Sequence, residues 1–243
     1  MKQNFFEILT NEKIAKDVFR MTLKGDTSEI TKTGQFVNIK IEGNFLRRPI
    51  SVCDWKDKEL TLIYKVVGEG TGKLKDYKKG TVLDVLTGLG NGYDTTLSGE
   101  KPLLLGGGVG VPPLYALCKT LISEGKKPTV ILGFNSKDDV FYEAEFKELG
   151  ADVFVTTADG SYGIKGFVTD AMKGVSYTYF YTCGPLPMLK AVFSNTDTSG
   201  QFSFEERMGC GFGACMGCSC KTITGYKRIC KEGPVLQKEE ILW

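Results

Sequence analysis

The feature that most constrains the fold is a change of pattern near Lys101. Before it, turn residues separate short runs rich in β-branched and aromatic residues: FFEILTNEKI, DVFRMTLKG, GQFVNIKIEG, RPISVCDW and ELTLIYKVVG. After it, short apolar strands alternate with helical segments. The first pattern predicts a barrel or sandwich, and the second predicts a parallel, doubly wound sheet.

The second half of the chain can be divided further. KPLLL predicts a strand, and the glycine turn after it leads into a helix that begins near Pro112, where a missing N–H does no harm. A second helix is expected to end at Gly150, and QFSFEERMG (201–209) to be the last strand. We therefore predict a β-barrel domain over residues 1–99, an α/β domain over residues 100–201 and a small cysteine-rich segment over residues 202–243.

Composition excludes several classes of function. The formal net charge is +2 and no run of like charges occurs, which argues against a nucleic-acid surface. The N-terminus lacks the pattern of a signal peptide, and no apolar run could span a bilayer. We therefore expect a cytoplasmic protein without a membrane partner. In that reducing compartment, clustered cysteines are more often ligands or redox groups than disulfides.

The C-terminal segment carries such a cluster. Its cysteines follow the spacing C-x4-C-x2-C-x11-C, formed by Cys210, Cys215, Cys218 and Cys230. This is the plant-type ferredoxin spacing, which predicts a [2Fe–2S] cluster held by these four thiolates. Glycines between the cysteines allow a tight loop whose backbone amides point at the negatively charged sulfides.

Two other interpretations of the cysteines remain open. A structural zinc site is one, although zinc prefers paired CxxC knuckles and only one close pair of that kind is present. A set of free buried thiols is the other. Cys220 is either a spectator or a replacement ligand, and strand alternation favours the spectator role. The isolated Cys53 and Cys118 fit the core.

Glycine clusters suggest backbone that lies close to a ligand, with simple turns as the alternative; they are GEGTG (68–72), GLGNG (88–92), GGGVG (106–110) and GCGFG (209–213). In RRPISV, Arg48 can pair with a diphosphate and Ser51 can bond a flavin ring nitrogen. In GEGTG, backbone amides and the Thr71 hydroxyl suit a diphosphate.

Two turns in the second half suit a dinucleotide. LLLGGGVGVPP (103–113) lies between a strand and a helix, although it is not the strict dinucleotide fingerprint. TCGPLPM (182–188) follows an apolar strand, so Cys183 would face the ligand crevice. GFNSKDD (133–139) lacks an arginine for a 2′-phosphate, which favours NAD over NADP.

These motifs, in this order, resemble the ferredoxin reductase superfamily, and the whole chain resembles the electron-transfer subunits of class 1B dihydroorotate dehydrogenases. The segments that carry the resemblance are RRPISV, VVGEGTGKL, GLGNGY, GGGVGVPPLYAL, CGPLPML and ERMGCGFGACMGCSC with RICKEGPV. The resemblance implies an FAD-binding barrel, an NAD-binding α/β domain and a C-terminal [2Fe–2S] segment. It also implies a ferredoxin-reductase-like two-domain fold.

The resemblance also assigns residues. FAD would contact Arg48, Pro49 and Ser51, with its diphosphate near Gly70 and Thr71. The NAD diphosphate would face the turn from Gly106 to Gly110, which includes Gly107 and Gly108, and Cys183 would lie near the nicotinamide as the catalytic residue. The wider superfamily often has an aromatic residue between the Arg and the Ser that stacks on the flavin. This chain has Ile50 there, as in the electron-transfer subunits, which leaves the residue that stacks on the isoalloxazine open.

The implied function is electron transfer in pyrimidine biosynthesis. Electrons would pass from the FMN of a dihydroorotate dehydrogenase catalytic subunit through the [2Fe–2S] cluster and FAD to NAD+, in a heterotetramer of two copies of each subunit. The absence of histidine fits, because this chain would need no general base. Apolar residues of the cysteine loop, such as Phe212 and Met216, would be buried at the subunit interface or would pack locally around the cluster.

Two alternatives belong beside this interpretation. One is a related flavin and [2Fe–2S] subunit of the NAD(P)H:ferredoxin oxidoreductase or sulfide dehydrogenase type, which would serve another partner. The other is a non-catalytic, zinc-binding regulatory module that kept a reductase-like fold.

Overall fold

The computed structural model describes all residues from 1 to 243. The first part is a closed six-stranded barrel in the order β1-β2-β5-β4-β3-β6, with every pair antiparallel. Its strands are β1 (Lys2–Ala15), β2 (Val18–Lys24), β3 (Phe36–Ile39), β4 (Arg48–Lys56), β5 (Glu59–Lys65) and β6 (Val82–Leu89). The predicted barrel is confirmed. The sequence analysis did not predict the sixth strand, β6. Its residues alternate between buried and outward positions, and its pairing with β1 and β3 closes the barrel.

Helix α1 (Glu69–Asp76) follows β5. The second part is a parallel sheet in the order β10-β9-β8-β7-β11-β12. Its strands are β7 (Pro102–Gly107), β8 (Thr129–Phe134), β9 (Asp152–Thr157), β10 (Ile164–Lys165), β11 (Tyr179–Cys183) and β12 (Gly200–Ser203). Its helices are α2 (Pro112–Ser123), α3 (Glu143–Glu148), α4 (Val168–Ala171) and α5 (Leu186–Ser194). The predicted α/β fold is confirmed.

The C-terminal segment contains three further strands. A hairpin joins β13 (Ser219–Thr222) to β14 (Gly225–Arg228), and β15 (Val235–Gln237) adds to the large sheet antiparallel to β12. The expectation that residues 201–209 form the last strand was therefore wrong, because that strand ends at Ser203 and the chain returns to cover its open edge. An uncovered edge would leave unpaired backbone groups.

Shared apolar cores join the three parts. One core packs barrel residues such as Val18 and Cys53 against Leu114 and Leu117 of α2. A second core packs Phe36 of the barrel with residues of the sheet and with the thiols Cys218 and Cys230. The expected boundaries at 99 and 201 therefore separate architectures that share their interior, and as domain boundaries they stay predictions.

Candidate functional site

A cavity of about 780 Å³ lies where the barrel, the parallel sheet and the C-terminal segment meet. This volume is typical of pockets for small molecules and cofactors. The barrel contributes a wall from β4, β5 and α1, and the sheet contributes the carboxyl ends of its strands. Predicted site residues in the lining are Arg48, Pro49, Ser51, Thr71, Gly107, Gly108, Gly110 and Cys183.

The barrel wall brings Arg48 onto helix α1. A side chain at Gly70 would collide with the Arg48 guanidinium, so the glycine allows the cation to lie against the helix start. The first amides of a helix have no partner within it, and they attract anions together with the helix dipole. Gly70 itself is buried beneath Arg48 rather than in the cavity lining. The Arg48 guanidinium and the first amides of α1 together form a positively charged surface that suits a diphosphate.

Thr71 has a local task in the structure. Its Oγ1 accepts hydrogen bonds from the backbone N–H groups of Val67 at 3.0 Å and Gly68 at 3.3 Å, and it donates to the Gly68 carbonyl. These contacts shape the first turn of α1. A direct contact between this hydroxyl and a diphosphate stays a prediction.

At the sheet, two glycine-containing turns close on each other. A side chain at Gly110 would collide with the Cys183 carbonyl, and one at Gly107 would come within 3.1 Å of Pro185 Cδ. Gly108 adopts φ +51°, in the left-handed region. Gly106 lies beneath the turn, where an added Cβ would be 2.9 Å from Val111 Cγ2, and it does not line the cavity. The backbone itself therefore forms this wall.

Cys183 is the last residue of β11 and pairs in register with Gly106 on one side and Ser203 on the other. Desolvation raises the pKa of its thiol to about 12, so the group is neutral at ordinary pH. A neutral, polarizable thiol suits an apolar ring better than it suits nucleophilic attack.

The structure adds residues to the cavity that the sequence analysis missed. Thr156, at the carboxyl end of β9, is fully buried, and its Oγ1 has no hydrogen-bond partner in the chain. A polar group of a ligand would satisfy that atom. Tyr64 lines the barrel side, and its hydroxyl donates to Asn11 Oδ1 at 2.9 Å. Strand-end positions could have pointed to Thr156, whereas nothing local singles out Tyr64.

The four predicted cysteine ligands lie in two pairs. Around Cys210 Sγ, the N–H groups of Phe212, Ala214 and Cys215 donate at 3.5, 3.2 and 3.5 Å. Burial opposes ionisation of the Cys210 thiol, but these backbone donors prevail and lower its pKa to about 6. The Cys210 N–H in turn donates to Cys215 Sγ at 3.5 Å. The loop is thus built to hold negative charge on sulfur.

The second pair is Cys218 and Cys230, both buried. The Cys230 N–H donates to Cys218 Sγ at 3.4 Å, and burial with the neighbouring Cys218 raises the pKa of Cys230 to about 12. No three of the chain's Cys, Asp and Glu side chains close around a single point. That these four cysteines hold a cluster stays a prediction, in which each iron of a [2Fe–2S] cluster would take two of the thiolates.

The loop that carries the first pair is tightly folded. Gly211 and Gly213 have φ of +79° and +92°, which only glycine adopts readily. Arg228 on β14 donates to the Gly213 carbonyl at 2.7 Å and is paired with Glu232. Cys220 lies on β13 opposite Lys227, half-buried, and burial raises the pKa of its thiol. Its role as a spectator stays a prediction.

The fold and site define a class: a ferredoxin-reductase-like oxidoreductase with a flavin barrel, a pyridine-nucleotide domain and an appended iron–sulfur segment. Comparisons with known proteins agree. The family described as the iron-sulfur cluster binding domain of dihydroorotate dehydrogenase B matches residues 205–242. The oxidoreductase NAD-binding domain family matches residues 104–193.

Relatives along the whole chain identify the family. The electron transfer subunit of dihydroorotate dehydrogenase B (NAD(+)) from Bacillus pumilus is 46% identical, over 99% of this chain and 98% of its own length. The corresponding subunit from Fusobacterium nucleatum is 47% identical, over 95% of each chain. The chain belongs to the family of these electron transfer subunits. It is an oxidoreductase component, and its cofactors are a [2Fe–2S] cluster, FAD and NAD.

A solved structure is similar over nearly the whole fold. The NADH-dependent reduced ferredoxin-NADP oxidoreductase structure superposes with a TM-score of 0.89 at 33% identity, covering 98% of this chain and 90% of that one. No helix of the present chain is long and apolar enough to cross a membrane.

Proposed function

We propose that this chain carries electrons in the cytoplasm from the FMN of a dihydroorotate dehydrogenase catalytic subunit to NAD+, in a heterotetramer of two copies of each subunit. The observation that carries the proposal is the single cavity shared by the barrel wall, the nucleotide turns and the C-terminal segment. One space bounded by all three parts allows electrons to pass between their cofactors without leaving the chain.

The chemistry explains why three cofactors are needed. A nicotinamide exchanges a hydride, an iron–sulfur cluster exchanges single electrons, and a flavin can do both, so FAD belongs between the other two. The residues of the chain bind and orient these groups. Arg48 and the start of α1 would hold the FAD diphosphate, and Ser51 would bond the flavin ring. Gly107 to Gly110 would bring backbone close to the NAD diphosphate, with Gly106 supporting that turn from below.

Further residues would set the environment of the reacting groups. The neutral Cys183 would lie beside the nicotinamide at the strand ends, where it fills space without adding charge. Cys210, Cys215, Cys218 and Cys230 would hold the cluster, and the amides around Cys210 would stabilise its negative charge. The chain has no histidine, so proton abstraction from the organic substrate is left to the partner.

The partner would dock where the cysteine loop is exposed. Phe212 and Met216 flank Cys215, and their exposed fractions are 42% and 54%. Docking of the catalytic subunit on this side of the loop would bury that apolar area. Docking there would bring the FMN of the catalytic subunit near the four thiols.

The experiment that tests the proposal is co-expression of this chain with the FMN-containing catalytic subunit encoded in the same genome. We expect the two chains to co-purify and to reduce NAD+ when dihydroorotate is added. The catalytic subunit alone, as the control, should reduce artificial acceptors but not NAD+. Failure to associate, or association without NAD+ reduction, would contradict the proposal.

A second function has a specific observation in its favour. The similarity to the ferredoxin-NADP oxidoreductase structure suggests a subunit that serves ferredoxin instead. The higher identity to dihydroorotate dehydrogenase subunits favours the first function. Native co-purification separates the two, because the partner found would be either a dihydroorotate dehydrogenase or a ferredoxin-dependent oxidoreductase subunit.

A further inference from the structure

The glycine cluster GLGNG (88–92) does not line the cavity. It follows β6 and contacts the C-terminal segment through Asn91. The Asn91 side-chain amide donates to the carbonyls of Glu232 at 3.0 Å and Val235 at 2.7 Å, and its Oδ1 accepts from the Val235 N–H at 3.1 Å. Its backbone N–H donates to the Gly233 carbonyl at 2.7 Å. The Asn91 side chain therefore makes three hydrogen bonds to the loop that follows Cys230.

A second asparagine of the barrel reaches the other cysteine loop. Asn38 on β3 is 1% exposed, and its Nδ2 donates to the Cys210 carbonyl at 3.3 Å. Gly211 leaves room for this contact, because any side chain there would collide with Asn38 Nδ2. The Asn38 carbonyl accepts from Arg47, which is paired with Asp84 on β6. The backbone of Asn38 is thus held within the barrel wall, and its side chain contacts the cysteine loop.

Asn38 also connects its cysteine loop to the wall that faces the cavity. Asn38 pairs in register with Pro49, and Phe36, two residues earlier, pairs with Ser51. Phe36 also lines the cavity and belongs to the same apolar core as Cys218 and Cys230. Each of the two loops that supply cysteines therefore has its own hydrogen-bonded contact with the barrel.

We propose that Asn38 and Asn91 are positioning residues that hold the two cysteine loops at a fixed place on the barrel, and so set the separation between the cluster and the flavin. The inference rests on the proposed function and deepens it. Asn38 contacts the backbone of the predicted ligand Cys210 and Asn91 contacts the loop after Cys230, so both would act on the cluster through the backbone of its loops. Electron exchange between two sites depends on their placement, as the rates of other reactions depend on the placement of the reacting groups.

The test uses the complete chain, with both cofactors bound, in complex with its catalytic subunit. The variants are Asn91→Ala, Asn91→Asp and Asn38→Ala. Asn195→Ala is the control, because Asn195, at the end of α5, donates its side-chain hydrogen bond to the Ala191 carbonyl of its own helix at 2.8 Å and makes none to either cysteine loop. Iron and flavin contents are measured for each, together with hydrogen exchange of residues 208–215, which Asn38 contacts, and of residues 230–237, which Asn91 contacts.

Anaerobic mixing with NADH then resolves two rates in each protein: bleaching of the flavin bands and bleaching of the iron–sulfur bands. We expect the flavin rate, the iron content and the flavin content to be unchanged in all variants. The iron–sulfur rate should fall in Asn91→Ala and Asn38→Ala by the order of tenfold or more. Asn91→Asp keeps the acceptor for the Val235 N–H, so it should recover part of the rate and of the exchange protection lost in Asn91→Ala.

The possible results distinguish failure of the positioning role from failure of the proposed function. Wild-type rates and wild-type exchange in both alanine variants would overturn the positioning role and leave the proposed function intact. Equal slowing of flavin and iron–sulfur bleaching, or loss of iron, would also overturn it, because those results indicate a general role in folding. If NADH bleaches only the flavin in the wild-type protein, the proposed function fails and the positioning role fails with it.

Discussion

At the scale of single residues, the cysteines of the tail differ in ways that their spacing does not reveal. Three backbone amides converge on Cys210 and favour its charged form, while Cys218 and Cys230 are buried together. The spacing predicts the set of four, which stays a prediction, and the structure shows hydrogen bonds within two pairs of them. The glycines predict that backbone amides surround the sulfur. They do not predict which amides donate to Cys210, because that depends on the left-handed turns at Gly211 and Gly213.

Substitution of one ligand should separate the cluster from the flavin. We expect Cys215→Ser to lose the visible iron–sulfur bands while FAD remains bound, because Cys215 does not line the cavity. Cys220→Ser, at a neighbouring thiol of the same segment, is the control and should keep both cofactors. Loss of FAD together with the cluster would show that the segment is required for folding of the barrel.

Arg48 should contribute directly to flavin affinity. A charge-assisted hydrogen bond contributes about 1.5–3 kcal/mol, so Arg48→Ala should weaken FAD binding by the order of tenfold to a hundredfold in equilibrium dialysis of the apoprotein. Arg48→Lys should recover only part, because an ammonium group lacks the guanidinium fork. Arg20→Ala, on an outward position of β2 beside Glu12, should bind FAD normally. Normal binding by Arg48→Ala would exclude the proposed contact.

At the scale of elements, the sequence predicts the start of a helix correctly where a short-range preference determines it. Helix α2 begins at Pro112 as predicted, since proline at a first helical position is a short-range preference. Helix α3 ends at Glu148, close to the predicted end at Gly150, and it begins only at Glu143 because Tyr142 adopts φ +67°. Strand β15 escaped prediction because its three residues are defined by pairing with β12, a contact between distant parts of the chain.

The glycine motif GLGNG contacts a different part of the molecule from the one its sequence suggests. Glycine clusters at strand ends suggested backbone near a ligand, but Gly90 packs against the C-terminal segment. Which surface a glycine loop approaches depends on the tertiary fold and is absent from the local sequence.

Gly90→Ala should therefore loosen that segment. Gly90 has φ +78°, and an added Cβ would be 2.6 Å from Pro234 Cδ. The left-handed conformation costs an alanine about 1–2 kcal/mol, and the crowding adds about 1–3 kcal/mol. Gly80→Ala is a matched control, with φ +87° and nothing within 4 Å of the added Cβ. We expect urea unfolding to show a larger loss for Gly90→Ala, and equal losses would contradict the packing argument.

At the scale of the whole molecule, the three parts form one body. The backbone N–H of Lys16 donates to the Asp138 carbonyl at 3.0 Å, and Lys119 of α2 pairs with Asp54 of β4 at 2.8 Å. Trp243 packs against Phe193, Phe202 and Phe204 and so fixes the tail to the sheet. The sequence predicted the order of the parts, but the single cavity between them arises only from this packing.

The exposed side of the cysteine loop should bind the catalytic subunit. Phe212→Ser and Met216→Ser are expected to weaken association with that subunit by the order of tenfold each, because both remove apolar area from the proposed contact. The iron content should not change. Val82→Ser, at an exposed valine on the barrel, is the control. Unchanged affinity in analytical ultracentrifugation would place the interface elsewhere.

The central claim is that the tail holds an iron–sulfur cluster that exchanges electrons with a flavin in the front half. The most direct measurement is an anaerobic NADH titration of the purified chain, followed by visible absorption, with iron and labile sulfide assayed on the same sample. We expect a [2Fe–2S] content of iron and sulfide and bleaching of both flavin and iron–sulfur bands by NADH. A preparation with flavin but no iron, or with stoichiometric zinc in its place, would contradict the account.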